Sequence, residues 1–270
     1  MAISGTGADE LFAGYPVFKQ AHDLSSKKWL YSFPPQVRNT FGKVLKWYDP
    51  SLKTEKKVDI LNQRLLEIAY YYPVFRRVFS LKSISNLLNL NKIEFKSYPF
   101  FWGFNEIEPG CRGYDFPFFS KISALEIETY LQNVLLRDAD QMGMANSLEI
   151  RVPFLDHELV EFILCVNDEY KYPHYPKKLL VDATKGWLPD EILNREKMGF
   201  VFPWEKWMKN ELKDFCLESL KNLEDLRIFD MNSVLDLWDA FLKSHSSSHW
   251  VKIWTLVVLG KWTSLNKISF

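Results

Sequence analysis

The stretch Leu135–Phe162, LLRDADQMGMANSLEIRVPFLDHELVEF, decides the fold class, because a helix end, a loop, a short extended run and a helix start follow one another within it. Upstream, Ile122–Asp140 reads as a long amphipathic helix whose buried stripe is Leu125, Tyr130, Leu131, Val134 and Leu135. The run MGMANSLEIRVPF then reads as a loop, with Leu148–Val152 extended inside it, and Asp156 stands where a helix cap belongs. The stub Met1–Ile3 is the one other extended signal. A mainly α chain is expected.

Working outward, Lys27–Leu90 is mostly helical in pattern, since LNQRLLEIAYYYPVFRRVF places apolar residues at three- and four-residue intervals. Pro34, Pro35 and Pro73 punctuate it. The segment 96–120 is different: FFWGFNEIEPGCRGYDFPFF has Gly, Pro and aromatics without a period and reads as an irregular insertion. Later helices are expected near Lys177–Trp187, Trp204–Leu220, Asn232–Leu242 and His249–Leu265. The apolar run Trp250–Trp262 is interrupted by Lys252 and Lys261 and is shorter than the roughly 20 residues of a membrane span, so it reads as a buried helix.

Composition narrows the function classes. Lys+Arg and Asp+Glu are both 34, so no basic excess points to nucleic acid. The high aromatic share, 16%, predicts a bulky core, or else an aromatic groove. Cys111, Cys165 and Cys216 are odd in number and far apart, which fits neither a disulfide framework nor a metal site and suits the cytoplasm. The start MAISGTGADE has neither the basic nor the apolar region of a secretory signal. Neither a nucleic-acid nor a membrane partner is expected.

Two features carry chemistry. In Ser4-Gly5-Thr6-Gly7-Ala8-Asp9-Glu10 the glycines let backbone approach a ligand, and Asp9 and Glu10 offer carboxylates for a hard cation such as Mg²⁺. The same residues also read as a capping box, Thr6 to Asp9, with acidic groups in a first helical turn. Farther on, Arg137, Asp138, Asp140, Glu149, Arg151 and Asp156 stand among many apolar residues. Charges so placed are expected to pair, which makes an internal ion network the reading for Asp138, Asp140, Glu149 and Asp156. Arg151 either joins it or faces a substrate.

SGTGADELFAGY (Ser4–Tyr15) resembles the SG-x-G-x-DE-L-F-x-G-Y element of the asparagine synthetase family, matching at Ser4, Gly5, Gly7, Asp9 and Glu10. Leu135–Phe162 resembles that family's second long element, and Lys178-Leu179-Leu180 through LPDEILNREKMGFVFPWEKWM resembles its third. The resemblance runs over nearly the whole chain and implies a C-terminal synthetase domain over 1–270. The fold implied is a helical fragment of an α/β adenine-nucleotide-α-hydrolase-like (ATP pyrophosphatase) domain with most of its parallel sheet missing.

The resemblance also implies roles. Ser4, Gly5 and Gly7 would contact the pyrophosphate of ATP, with Lys178 on the phosphate side, and Asp9 and Glu10 would hold Mg²⁺. Lys197, with Arg195 and Gly199 in register, would face the phosphates and the charge developing on an acyl intermediate, a task suited to a compact ammonium. Read in isolation, Lys197 would be a solvated loop residue. Thr6 stands where asparagine-forming members carry Glu, so the small carboxylate that is amidated stays open. The family activates a carboxylate with ATP and then forms an amide from ammonia.

The family's ATP loop, SGGxDS, does not occur in this sequence, and Ala2 stands where the glutaminase nucleophile would be a cysteine. The chain is therefore expected not to hydrolyse glutamine, and to be inactive alone or to work with a separately encoded N-terminal half bearing the ATP loop and glutaminase. A non-catalytic remnant or helical interaction module is the other reading. Parallel sheets are buried on both faces, so Leu11, Phe12 and Tyr15 are expected to lose their floor and leave an apolar patch exposed.

Overall fold

The protein is described by a computed structural model that covers residues 1–49, 51–63, 68–88, 116–172, 175–195, 202–243 and 250–268. It is mainly helical. The chain divides into two compact units: Met1–Trp47, Lys57–Phe75 and Phe101–Lys197 form the first, and Tyr48–Lys56, Arg76–Phe100 and Met198–Phe270 the second.

The first unit is organised on a parallel pair of short strands, β1 (Ala2–Ile3) and β2 (Ile150–Arg151), with Ala2 opposite Ile150 and Ile3 opposite Arg151. The Ala2 N–H donates to the Glu149 carbonyl (2.8 Å) and the Ser4 N–H to the Arg151 carbonyl (2.8 Å). Both strands were legible as extended runs. From β1 the chain enters α1 (Ala8–Leu11), a single turn, and then α2 (Pro16–Ser25), whose Pro16 suits a first helical turn.

α3 (Pro35–Tyr48) follows and packs in an unexpected sense. Its buried side is Arg38 and Gly42, while Val37, Phe41, Val44 and Trp47 are exposed. Arg38 Nη1 donates to the carbonyls of Leu61 (2.6 Å) and Gln63 (3.0 Å), and its guanidinium lies 4.5 Å from the Tyr31 ring centre. A Cβ on Gly42 would come within 2.6 Å of Val58 Cγ1, so the helices approach at the one position without a side chain. Val58 and Leu61 belong to α4 (Leu52–Leu61). α5 (Ile68–Arg76) carries Pro73 inside it.

The long helix expected over Ile122–Asp140 is present and longer. It runs as α7 (Phe118–Glu126), a π-helical stretch (Ile127–Leu135) and α8 (Leu136–Ala145). The expected insertion 96–120 therefore gives way to helix at Phe118, and its residues up to 115 lie outside the described residues. Leu125 and Leu131 are buried as expected, and Tyr130 and Leu135 are partly buried. Val134 is exposed, which corrects the expected stripe. The cause is the π stretch: bonding from i to i+5 adds a residue to each turn, so a stripe laid out at 3.6 residues per turn drifts off the core. Asn133 Nδ2 donates to the carbonyls of Glu128 (2.8 Å) and Thr129 (3.0 Å) within it.

α8 ends at Ala145; in its last turn a Cβ on Gly143 would meet the Leu148 carbonyl oxygen at 2.7 Å, and the chain turns into β2. After a 3₁₀ turn (Pro153–Leu155), Asp156 caps α9 (His157–Cys165) by accepting from the N–H groups of Glu158 (3.0 Å) and Leu159 (3.5 Å), as the sequence indicated. α10 (Asp168–Lys171), α11 (Lys178–Thr184) and α12 (Asp190–Leu193) complete the unit.

Two apolar clusters hold this unit. One gathers Val17, Phe18, Ala21, Tyr71, Tyr72, Phe119, Ile122 and Leu125. The other gathers Ala8, Leu11, Phe12 and Ile163, with Phe154, Leu159 and Leu179 packed on it. This second cluster overturns the expectation that Leu11 and Phe12 lose their floor. Both are buried, because α9 and the 3₁₀ turn supply the missing surface; the Phe12 and Phe154 rings meet edge to face at 5.9 Å.

The second unit is helical. α6 (Leu81–Leu87), α13 (Trp204–Lys209), α14 (Lys213–Lys221), α15 (Met231–Lys243) and α16 (Trp250–Leu265) share a core that includes Leu87, Met208, Cys216, Leu220, Val234, Trp238, Phe241, Ile253 and Val257. The helix expected over Trp204–Leu220 is broken at Asn210, whose N–H is shared between the Lys206 (3.1 Å) and Trp207 (3.2 Å) carbonyls. α16 is the helix expected from the apolar run, but buried on one side only: Ile253, Leu256 and Val257 are buried while Val258 and Trp262 are exposed, and a Cβ on Gly260 would stand 2.0 Å from the Ser219 carbonyl oxygen on α14. No helix among the described residues is long and apolar enough to cross a membrane.

Candidate functional site

The three sequence elements meet around α1. The first begins at the carboxyl end of β1, the side of a parallel sheet on which α/β folds place ligands. Its loop is braced locally: Ser4 Oγ and Thr6 Oγ1 are 2.7 Å apart and hydrogen-bonded, and the Thr6 N–H donates to Ser4 Oγ at 3.3 Å. Gly7 has φ 98°, which favours glycine, and a Cβ there would fall 2.5 Å from Leu155 Cδ2. Leu155 belongs to the second element, so Gly7 is one of the points where the two elements touch, beside the Ser4 bond to the Arg151 carbonyl and the Phe12–Phe154 ring pair.

Asp9 and Glu10 are neighbours in sequence, but their carboxylates have different partners. Glu10 is fully buried and accepts a hydrogen bond from the Tyr15 hydroxyl at 2.8 Å. Burial, and then the bond to Glu10, push the Tyr15 phenol far above its ordinary range, so it stays protonated and keeps donating. The Tyr15 ring also meets Tyr130 of the π stretch edge to face at 6.0 Å. Asp9 is about a quarter exposed and its Oδ1 lies 3.1 Å from Lys177 Nζ.

Lys177 is the residue sequence reasoning missed. It stands just before α11 with φ 59°, and its N–H donates to the Phe12 carbonyl at 2.9 Å, so the residue leading into the third element is tied to α1 by both backbone and side chain. A Cβ on Gly14 would fall 1.9 Å from Asp9 Oδ1 and 2.7 Å from Lys177 Cε, so a side chain at position 14 would invade the ion pair. The sequence signal was the adjacent pair Lys177-Lys178, which does not tell which lysine turns toward α1.

Lys178, expected on the phosphate side, pairs with Asp182 one turn along α11. Tyr175 also donates to Asp182, at 2.6 Å, and these two bonds hold the Asp182 carboxyl below its usual range. Lys197 and Gly199 lie outside the described residues, and Arg195 is exposed beyond the end of α12.

The ion network expected in the second element is absent among the described residues. Glu149 pairs with Arg151 at 2.9 Å on the surface, Asp156 is a helix cap, and Arg137, Asp138 and Asp140 are exposed on α8. Solvated groups gain little from pairing, so nothing draws them together. No group of three or more His, Cys, Asp or Glu side chains among the described residues is arranged to hold a metal ion.

Comparison with known proteins agrees with the layout. The family model described as asparagine synthase matches residues 1–264. The chain is 28% identical over 276 residues to "Asparagine synthetase [glutamine-hydrolyzing] 1" of Bacillus subtilis, covering 98% of this chain and 40% of that protein. It is 27% identical over 271 residues to a putative asparagine synthetase of Mycobacterium tuberculosis, covering 98% and 39%. It is 25% identical over 290 residues to "Amidase chyE" of Penicillium rubens, covering 97% and 41%. The chain thus spans about two-fifths of the length of the curated relatives it matches. No solved structure gives a significant match. With three ordered sequence elements converging on α1 and a family match over 1–264, this chain belongs to the asparagine synthase family.

Proposed function

We propose that this chain supplies the acceptor and pyrophosphate side of an ATP-dependent synthetase that forms an amide from a small carboxylate through an acyl-adenylate. The carboxylate would attack the α-phosphorus of ATP and release pyrophosphate; ammonia would then displace AMP. The ATP loop and the glutaminase that delivers ammonia would come from a polypeptide segment that carries them. The observation that carries the reading is the convergence on α1 of the second element, through Leu155 against Gly7, and of the start of the third, through Leu179 and the preceding Lys177.

Within that reading, Ser4, Gly5 and Gly7 approach the pyrophosphate through backbone, and Thr6 lies on the acceptor side. Mg²⁺ is commonly bound by one or two carboxylates and completed by phosphate oxygens, and the partly exposed Asp9 fits that demand. Its chemistry would be to neutralise phosphate charge. Glu10, sealed under Tyr15, would fix the turn that presents Asp9. Lys177 would hold the Asp9 carboxylate in place before substrate arrives, and Lys197 would meet the negative charge that builds on the transferring group.

The test is to mix the chain with a polypeptide carrying the ATP loop and to measure AMP release with candidate carboxylates. Lys197→Ala is expected to abolish it with the fold intact, as read by circular dichroism; turnover at the wild-type rate in that variant would refute the role. Titration of this chain alone with ATP–Mg²⁺ is expected to give no binding heat. The second reading, a non-catalytic helical module, is favoured by the way Asp9 and Lys178 are already neutralised inside the chain. It predicts no AMP release with any added half.

A further inference from the structure

We infer that the outward face of α3 is a docking surface for an anionic lipid bilayer, on which the helix lies flat. Val37, Phe41 and Val44 are each more than half exposed and Trp47 is 86% exposed, at spacings that align them along one side of a helix. The 3₁₀ turn just before α3 adds Trp29, and Phe33 follows it, their rings edge to face at 6.0 Å and both exposed. A soluble chain leaves such a run of aromatic and branched side chains outward at a cost, and a contiguous patch of this kind marks a contact surface.

Charge selects the occupant. From Lys27 to Tyr48 there are five basic residues, Lys27, Lys28, Arg38, Lys43 and Lys46, and no Asp or Glu, in a chain whose net charge is +0. Arg38 is buried and Lys46 pairs with Asp59 at 3.4 Å, while Lys27, Lys28 and Lys43 are exposed. A second copy of the chain would bring these same lysines against one another, which disfavours self-pairing. Exposed tryptophan with phenylalanine and valine on one side, and lysines around it, is the composition of a helix lying in the headgroup plane of anionic lipid. The length argument against a membrane span concerns crossing and does not bear on a helix lying in the surface. The inference does not depend on the proposed synthetase chemistry.

The experiment is co-sedimentation of the folded chain with vesicles of phosphatidylcholine alone and of phosphatidylcholine mixed with phosphatidylglycerol, at low and high salt. Binding is expected only to the mixed vesicles, weakening about tenfold or more as salt screens the lysines. The double variant Phe41→Ser/Trp47→Ser, at exposed positions and with circular dichroism unchanged, is expected to lose at least about tenfold in affinity. The triple variant Lys27→Glu/Lys28→Glu/Lys43→Glu is expected to abolish the preference for anionic lipid. Failure of the wild-type chain to sediment, equal binding to both vesicle types, or unchanged binding by the variants would each overturn the inference. So would a dimer, or binding to polyglutamate without vesicle binding, that disappears in the same variants: these would assign the face to a second copy or to an acidic protein.

Discussion

α3 and α16 are both rich in large apolar residues, yet they face opposite ways. α16 buries Ile253, Leu256 and Val257, whereas α3 buries Arg38 and Gly42 and leaves Val37, Phe41 and Val44 in solvent. What the two share is a glycine at the closest approach: Gly260 meets the Ser219 carbonyl oxygen and Gly42 meets Val58. The inward side of each helix is thus set by where the backbone can come close and by what its neighbour offers. For α16 the neighbour offers other apolar side chains. For α3 it offers the carbonyls of Leu61 and Gln63, which only a long donor can satisfy.

The largest effect is expected at the glycine of α16. Gly260→Val drives a side chain into backbone and should cost about 3 kcal/mol or more, measured by denaturant unfolding followed through tryptophan fluorescence. A cost below that of an ordinary surface change would show that α14 and α16 do not pack at this position. Arg38→Ala tests the other helix: it leaves two carbonyls without their donor and should cost about 2–3 kcal/mol, read by the same unfolding curve. Gly42→Ala should be milder, about 1 kcal/mol or less, because the contact is a valine methyl and alanine's better helix propensity offsets part of the strain.

The smallest expected effect uses pH to probe a second buried cation, Lys171. Lys171 is buried, its Nζ bonds to Ser120 Oγ, and desolvation lowers its pKa to about 8, against the opposing pull of Asp168 and Cys165. Between about 8 and the ordinary lysine value of 10.5 the unfolded chain binds the extra proton, so Lys171 should make stability rise with pH across that window and leave it flat below. Lys171→Met should remove that part of the slope, as measured by unfolding midpoints at successive pH values. An identical slope in the variant would mean that the ammonium is solvated.

Much of the scaffold could be read from the sequence because the signals were local. The Asp156 cap, the extended runs at Met1–Ile3 and Leu148–Val152, and the apolar helix ending near Leu265 each depend on residues close in the chain. What was not legible depends on contacts across the fold. The exposure of Val134 follows from π bonding, and the burial of Leu11 and Phe12 from a turn some 140 residues later in the chain, at Pro153–Leu155. Of the site, the loop Ser4–Glu10 was legible as a motif, but the pairing of Asp9 with Lys177 depends on a left-handed residue that no motif marks.

The π stretch at Ile127–Leu135 has a further consequence for how this chain can vary. Wider turns of this kind accommodate one more residue than regular helix would over the same span. Removing a single residue there would let the segment relax to ordinary winding without breaking it and leave the helix beyond it close to its present direction. The surface bearing Arg137 to Asp140 would keep its place, while side chains inside the stretch, Tyr130 among them, would shift relative to Tyr15. Relatives differing by one residue in this stretch would therefore differ in which of its own side chains reach Tyr15, with every other element unchanged.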